Sequence, residues 1–180
     1  LVLWTRGVDT SLFSPGPKPE WARSLAAPVV LSVGRVAVEK GLPDFLGMDM
    51  PGTKVVVGDG PARAKLESEF PDVVFLGAKF GEELAEAYRA ADVFVFPSKT
   101  DTFGLVMLEA LASGVPVAAY PVMGPVDVIG DAPVGSLDDD LKKAVTTALS
   151  IPRESCRTYA EGFSWRACAE RFRGYLAPFG

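Results

Sequence analysis

The sequence has no histidine among its 180 residues, and this absence excludes several kinds of catalytic site. Without an imidazole, the chain cannot hold a Ser-His-Asp or Cys-His catalytic set, a histidine-ligated metal or an imidazole general base. Its only cysteines, Cys156 and Cys168, are too few for a disulfide framework. We therefore expect free, buried thiols and a cytoplasmic protein in a reducing compartment.

Long apolar runs and basic runs are missing as well. No 18 residues in a row are apolar, so the sequence predicts no membrane-spanning helix. The first residues do not resemble a signal peptide, and since Leu1 is not Met we expect a piece of a longer protein. The 18 Lys and Arg residues oppose 23 Asp and Glu, a net charge of −5. This acidic balance argues against nucleic acid or an anionic membrane as the main partner.

Short apolar runs alternate with helical segments after a proline-rich stretch at 14–28, which we interpret as a loop or linker. The runs are nearly continuous and rich in valine and phenylalanine, as in strands buried on both faces. They cover residues 29–33, 54–57, 73–76, 93–96 and 115–119. Helices are predicted at 39–48, 61–70, 81–91, 104–113, 138–149 and 164–177, with Ser164 capping the last. The alternation predicts an α/β fold with a doubly wound, Rossmann-like parallel sheet.

Glycines and cations follow the first three predicted strands, and the fourth strand leads into the polar segment 97–104. The positions after the first three are Gly34, Arg35, Lys40, Gly58, Gly60 and Gly77. Ligands of a parallel sheet bind outside the carboxyl ends of its strands. Glycines allow a close backbone approach and cations attract negative charge, so this rim fits a ligand with phosphate groups.

These signals also have ordinary explanations. Gly58-Asp59-Gly60 is typical of a tight turn between a strand and a helix, and it lacks the third glycine of a dinucleotide-binding fingerprint. Arg35 and Lys40 could each be a surface cation. The residues alone leave both interpretations open.

Glu109 stands in unusual surroundings. It is the only charged residue from Leu105 through Tyr120, in a predicted helix that is apolar all round. Such a helix is normally buried, and a buried carboxylate is costly unless it accepts hydrogen bonds. Two ribose hydroxyls would supply them, whereas an exposed position is the alternative. Asp101, at the entrance of the same helix, fits a helix N-cap, a ligand contact or both.

Four segments occur in a characteristic order, at residues 34–41, 57–61, 92–98 and 101–110. Together they resemble the C-terminal domain of GT-B glycosyltransferases of family 4. Asp101 and Glu109 are similar to that family's Glu-x7-Glu motif, with aspartate in the first place. The resemblance implies one half of a GT-B fold. It also implies an interdomain segment and linker at 1–28, a nucleotide-sugar-binding domain at 29–163 and a C-terminal helix at 164–180.

The resemblance implies a retaining hexosyltransferase that takes a sugar from a nucleotide-diphosphate sugar, such as GDP-mannose or UDP-glucose. In that interpretation Arg35 and Lys40 hold the diphosphate and assist its departure, and Asp101 lies by the sugar hydroxyls as a third catalytic residue. Glu109 takes the ribose hydroxyls. The other implied donor-binding positions are Gly34, Gly58, Gly60, Gly77, Phe103, Gly104 and Leu105.

The resemblance implies neither a cofactor nor a metal. It does imply an N-terminal domain with the site for a lipid or saccharide acceptor, which these 180 residues lack. The chain alone is therefore expected to bind the donor without transferring the sugar. A peripheral association of the full-length enzyme with the inner face of a membrane stays open, and no nucleic acid is expected as a partner.

Other functions fit parts of the pattern. A nicotinamide-dependent oxidoreductase would need Gly-x-Gly-x-x-Gly after the first strand, and Gly34-Arg35-Val36 does not provide it. A nucleotide-sugar epimerase of similar build would keep the fold and the donor site, and product analysis of the full-length protein would identify it. A non-catalytic nucleotide-binding α/β domain would keep the fold but would need no set of Arg35, Lys40 and Glu109.

Overall fold

Six parallel strands form one sheet in the residues that the computed structural model describes, 7–100 and 104–175. The strands are β1 (Val29–Val33), β2 (Thr53–Val57), β3 (Val74–Phe75), β4 (Val93–Phe96), β5 (Val117–Ala119) and β6 (Gly135–Leu137). Their order across the sheet is β3-β2-β1-β4-β5-β6. The connections therefore reverse direction between β1 and β4, which confirms the predicted doubly wound α/β fold.

Helices cover both faces of the sheet. They are α1 (Leu42–Leu46), α2 (Arg63–Glu69), α3 (Gly81–Ala90), α4 (Leu105–Ala112), α5 (Met123–Ile129), α6 (Leu141–Ala148), α7 (Arg153–Glu161) and α8 (Trp165–Tyr175). Single 3₁₀ turns occur at Glu20–Ala22, within the predicted loop, and at Val38–Lys40. The backbone N–H of Ala167 donates to Ser164 Oγ at 3.2 Å, as expected for the predicted N-cap of the last helix.

The predicted helix at 39–48 is interrupted at Gly41. This residue has a φ of +65°, and a Cβ there would approach the carbonyl oxygen of Pro97. Only glycine accepts that backbone conformation and that contact without strain. The segment is consequently split into a 3₁₀ turn and the short helix α1.

The sequence pattern does not predict β6, α5 or α7. β6 has the sequence Gly-Ser-Leu, which contains no apolar run. α5 includes Gly124 and Pro125, both poor helix formers. α7 is mostly polar and places only Cys156 and Ala160 in the core. These elements depend on packing against the rest of the domain more than on local sequence.

Alternate residues of the central strands enter two apolar layers. One layer holds Leu31 and Phe94 with the buried faces of α3, α4, α5 and α7. The other holds Val30 and Val95 with those of α1, α2 and α6. Because both faces are covered, β1 and β4 are apolar along nearly their whole length.

The N-terminal segment from Gly7 to Phe13 packs against the C-terminal helices. The N–H of Val8 donates to the carbonyl oxygen of Phe163 at 2.8 Å, and Val8 pairs with Ser164 in a parallel bridge. Arg157 Nη1 donates to three carbonyl oxygens, those of Thr10 (3.0 Å), Phe13 (2.9 Å) and Ala112 (2.9 Å). The predicted division at residues 28 and 163 remains a prediction.

Both cysteines are buried, and neither forms a disulfide. Within the described ranges, no helix combines the length and the apolar character that crossing a membrane requires.

Candidate functional site

A cleft of about 300 Å³ opens at the carboxyl ends of β1 and β4, where the strand order reverses. Its walls come from the segment after β1 (residues 34–40), the segment after β4 (residues 97–100) and the first turn of α4. The lining residues are Ser32, Val33, Gly34, Arg35, Lys40, Leu42, Val56, Phe96, Pro97, Ser98, Gly104, Leu105 and Val106. This is the position at which doubly wound sheets bind their ligands.

The segment after β1 brings two cations to this cleft. Arg35 is the second residue after the strand, and Lys40 ends the 3₁₀ turn that precedes α1. The Arg35 side chain is 65% exposed, and its Nη1 lies 3.5 Å from Glu39 Oε1. An exposed ion pair of this kind contributes little stability, so the guanidinium can turn to an anion in the cleft at little cost.

Two serine hydroxyls join the cations. Ser32 and Ser98 line the cleft and are only 4% and 1% exposed. Ser98 Oγ accepts a long hydrogen bond, 3.4 Å, from the N–H of Thr100. The sequence interpretation did not select either residue. A usable signal was present for Ser32, the one polar residue in β1, because a buried hydroxyl needs a partner.

The predicted residues at the start of α4 also lie at this cleft. Gly104 caps the helix with a φ of +66°, and Gly104 and Leu105 are lining residues. The first N–H groups of an α-helix are free to meet an anion. Asp101 and Phe103, predicted to contact the sugar and the donor, lie outside the described residues.

The other three predicted glycines, Gly58, Gly60 and Gly77, do not line the cleft. Gly58 N–H donates to the Gly77 carbonyl at 2.8 Å, and Gly34 N–H donates to Val57 at 2.9 Å. A Cβ on Gly58 would overlap the carbonyl oxygen of Gly34, and one on Gly60 would overlap that of Val36. Close packing of the backbone therefore accounts for Gly58 and Gly60, and the donor contact of all three glycines remains a prediction.

Glu109 has a hydrogen-bond donor within the protein. It is half-buried on α4, outside the lining of the cleft, and its Oε2 accepts from the Tyr88 hydroxyl at 2.8 Å. Burial raises the pKa of the Glu109 carboxyl, and the Tyr88 hydrogen bond opposes that rise. Burial, together with Glu109, raises the pKa of Tyr88 well above its ordinary range, so the phenol stays protonated. One bond leaves the carboxylate further capacity to accept hydroxyl donors.

Among the described residues, no three or more Cys, Asp or Glu side chains form a group that could hold a metal ion. The cleft instead combines two cations, two buried hydroxyls and a helix N-terminus. This combination is suited to binding a phosphate-containing ligand by charge and hydrogen bonds.

Comparisons with known proteins identify the family of the chain. The family model described as Glycosyl transferases group 1 matches residues 27–151. The sequence is 38% identical to a GDP-mannose-dependent alpha-mannosyltransferase of Mycobacterium tuberculosis, over 96% of this chain and 50% of that protein. It is 34% identical to a sulfoquinovosyl transferase of Arabidopsis thaliana, over 96% and 39% of the two chains.

The structure is similar to that of a sucrose-phosphate synthase from Thermosynechococcus elongatus. The TM-score is 0.78 at 27% identity, over 96% of this chain and 51% of that one. The chain spans about half the length of the first of the curated relatives, and less of the second.

Proposed function

The chain belongs to the glycosyl transferases group 1 family, with the fold of one half of a GT-B glycosyltransferase, and from this premise we propose that it binds the sugar donor of a retaining hexosyltransferase of family 4. The donor in this proposal is a nucleoside diphosphate sugar, and the acceptor is a lipid or a saccharide. The observation that carries the proposal is the joint placement of Arg35 and Lys40 at the cleft between β1 and β4.

The two cations would act on the leaving group. When the bond between the sugar and the diphosphate breaks, negative charge develops on the phosphate oxygens. Cations already held beside that position stabilise the developing charge without reorganising. Arg35 and Lys40 would supply this stabilisation without a metal, while Ser98 and the first turn of α4 would orient the diphosphate. Asp101 would contact the sugar.

Glu109 would bind the ribose of the nucleotide. Tyr88 holds its Oε2 from the α3 side, which restricts the carboxylate to one orientation. A carboxylate fixed in this way loses less conformational freedom on binding than a free side chain does. The role proposed for Glu109 therefore depends on Tyr88 as well.

For the donor we favour a guanosine diphosphate sugar, since the mycobacterial relative is described as GDP-mannose-dependent. In this proposal the acceptor site lies in a part of the protein outside these 180 residues, because the mycobacterial relative is about twice as long as the matched region. Transfer requires the acceptor and the donor to be held together in a reactive geometry. The 180-residue chain should consequently bind a nucleotide without multiple-turnover transfer.

A thermal-shift titration with GDP and UDP tests the proposal. An open half-cleft buries little ligand surface, so we expect a dissociation constant on the order of 0.1–1 mM, or about 4–5.5 kcal/mol. At ten times that concentration the ligand adds about 1.4 kcal/mol of stability, which raises the Tm by about 3–6 °C in a domain of this size.

Arg35→Ala should weaken the binding by about 1.5–3 kcal/mol, the range for a charged hydrogen bond. Arg166→Ala is the matched control, because Arg166 forms a similar i,i+4 ion pair with Glu170 on the exposed side of α8. The absence of a shift with either nucleotide at about 10 mM, far above the expected constant, would contradict the proposal. Multiple-turnover transfer by the chain alone would show that the acceptor site had been misplaced.

A further inference from the structure

Three side chains from separate elements form a cluster just outside the cleft. Asp44 belongs to α1, Lys99 follows β4, and Tyr120 follows β5. Asp44 Oδ2 accepts from the Tyr120 hydroxyl at 2.8 Å and from Lys99 Nζ at 3.1 Å. Lys99 Nζ also lies 4.2 Å from the centroid of the Tyr120 ring. Each member of this Asp44 cluster thus contacts the other two.

The Asp44 cluster connects the two segments that form the cleft. The members of the cluster do not line the cleft, but residues close to them along the chain do. Leu42, two residues before Asp44, and Ser98, directly before Lys99, are both lining residues. Further contacts run parallel to it. Thr100 Oγ1 donates to the Glu39 carbonyl at 3.4 Å, and Gly41 packs against the Pro97 carbonyl. The segment after β4 is therefore fastened to the segment after β1 at several points.

The chemistry of the cluster keeps these contacts in place at neutral pH. Burial and the hydrogen bond to Asp44 raise the pKa of Tyr120 to about 12, so its hydroxyl remains a donor. The hydrogen bond from Tyr120, followed by the contact with Lys99, lowers the pKa of Asp44, which stays ionised.

Stability alone does not account for the cluster. The side chains of Lys99 and Asp44 are 57% and 46% exposed, and an ion pair this accessible to water adds little to the stability of a fold. Tyr120, in contrast, is only 7% exposed, and its contacts with Asp44 and Lys99 fix the position of the ion pair. A weakly stabilising but well-oriented contact between the two segments is suited to setting their spacing.

We infer that Asp44, Lys99 and Tyr120 are positioning residues that hold the segment after β4 at the distance from Arg35 and Lys40 that a nucleoside diphosphate requires. This inference rests on the proposed function. The cluster acts through the cleft residues and does not itself contact the ligand. The competing interpretation, in which Lys99 contacts the diphosphate directly, gives a different mutational pattern.

The experiment compares Lys99→Met, Asp44→Asn, Tyr120→Phe and the double variant Lys99→Met with Asp44→Asn in the 180-residue chain. Calorimetric titration with GDP and UDP gives the dissociation constants, and the Tm without ligand is measured for each variant. We expect each single change to weaken binding by about three- to tenfold. The double variant should bind within about twofold of the weaker single variant, because both changes break one contact.

The readouts separate positioning from general stability. The Tm of Lys99→Met without ligand should stay within about 2 °C of wild type, since the pair is exposed. Lys99→Arg should restore binding to within about twofold, because it keeps the charge and the stacking on Tyr120. Lys18→Met is the matched control, since Lys18 pairs with Asp92 at 3.1 Å directly before β4, at the edge of the sheet opposite the cleft, and it should leave binding unchanged.

Two results would overturn the inference while leaving the proposed function intact. One is unchanged or tighter binding by Asp44→Asn together with weaker binding by Lys99→Met, which would show that Lys99 contacts the ligand. The other is wild-type affinity in all the cluster variants. If wild type binds neither nucleotide, the proposed function fails, and the positioning role fails with it.

Discussion

Replacing Tyr88 with phenylalanine removes one hydroxyl and leaves the packing of the ring in place. The ring of Tyr88 contacts those of Phe13 and Phe94, with centroids 5.7 Å and 5.9 Å away, and a phenylalanine can keep both contacts. The hydroxyl donates to Glu109 at 2.8 Å. A hydrogen bond to a charged group contributes about 1.5–3 kcal/mol, and we expect Tyr88→Phe to lower the free energy of unfolding by that amount at neutral pH.

The loss should depend on pH. Burial raises the pKa of Glu109 in the folded state, and the Tyr88 hydrogen bond lowers it part of the way back. A raised pKa means that stability is highest below the unfolded-state pKa and falls as the pH rises through the folded-state value. Without the hydroxyl this pKa rises further. The difference between wild type and Tyr88→Phe should therefore be small in acid and should widen toward neutral pH.

Urea denaturation from about pH 4 to about pH 8 measures this difference in the free energy of unfolding. In thermal denaturation at neutral pH, the expected fall in Tm is about 3–12 °C for a domain of this size. The control is the same change in a Glu109→Gln background, where the partner is neutral. There the loss should shrink to about 0.5–1.5 kcal/mol and should not vary with pH. An equal loss in both backgrounds, or a loss independent of pH in the Glu109 protein, would refute the reasoning.

Three further predictions concern the ligand, a glycine and an arginine. Glu109→Gln should weaken GDP and UDP binding with the fold retained, and wild type should bind 2′-deoxy nucleotides less tightly than ribonucleotides; equal affinities would remove ribose recognition from Glu109. Gly58→Ala should lower the free energy of unfolding by more than about 2 kcal/mol, because the φ of Gly58 is +140° and the added Cβ meets the Gly34 carbonyl. Gly174→Ala is the control, because a Cβ there lies in open space and should have no such effect in the same denaturation assay. Arg157→Leu should lower the free energy of unfolding by at least about 2 kcal/mol, because three carbonyls lose their donor. Limited proteolysis of this variant should then cleave more rapidly within residues 7–13.

The sequence predicts the sheet well because both of its faces are covered. A strand buried on two sides must be apolar along its length, and β1 and β4 carry that signal almost undiluted. β6 pairs only with β5 in the described sheet, and its three half-buried residues carry no comparable pattern. β6 therefore forms through its neighbour and no local signal predicts it, whereas β3, at the other edge, keeps an apolar run and was predicted.

The candidate site was predictable only in part, for a related reason. Arg35, Lys40 and Gly104 are visible as charges and glycines that follow strands, and the topology of the sheet brings them to one cleft. The partner of Glu109 was not visible, because Tyr88 lies in another helix, 21 residues away, on a stripe that is typical of core. Contacts between side chains of different elements require the packing, which composition and spacing do not specify.

The attachment of residues 7–13 by Arg157 has a consequence for the order of folding. The Thr10 carbonyl and Arg157 are 147 residues apart, so the segment leaves the ribosome long before its partner exists. At about 5–20 residues per second, this wait lasts roughly 7–30 s. We predict that docking of the segment is a late event, after the transition state of the sheet. Loss of Arg157 should accelerate unfolding and leave the refolding rate nearly unchanged, as for any contact formed after the barrier.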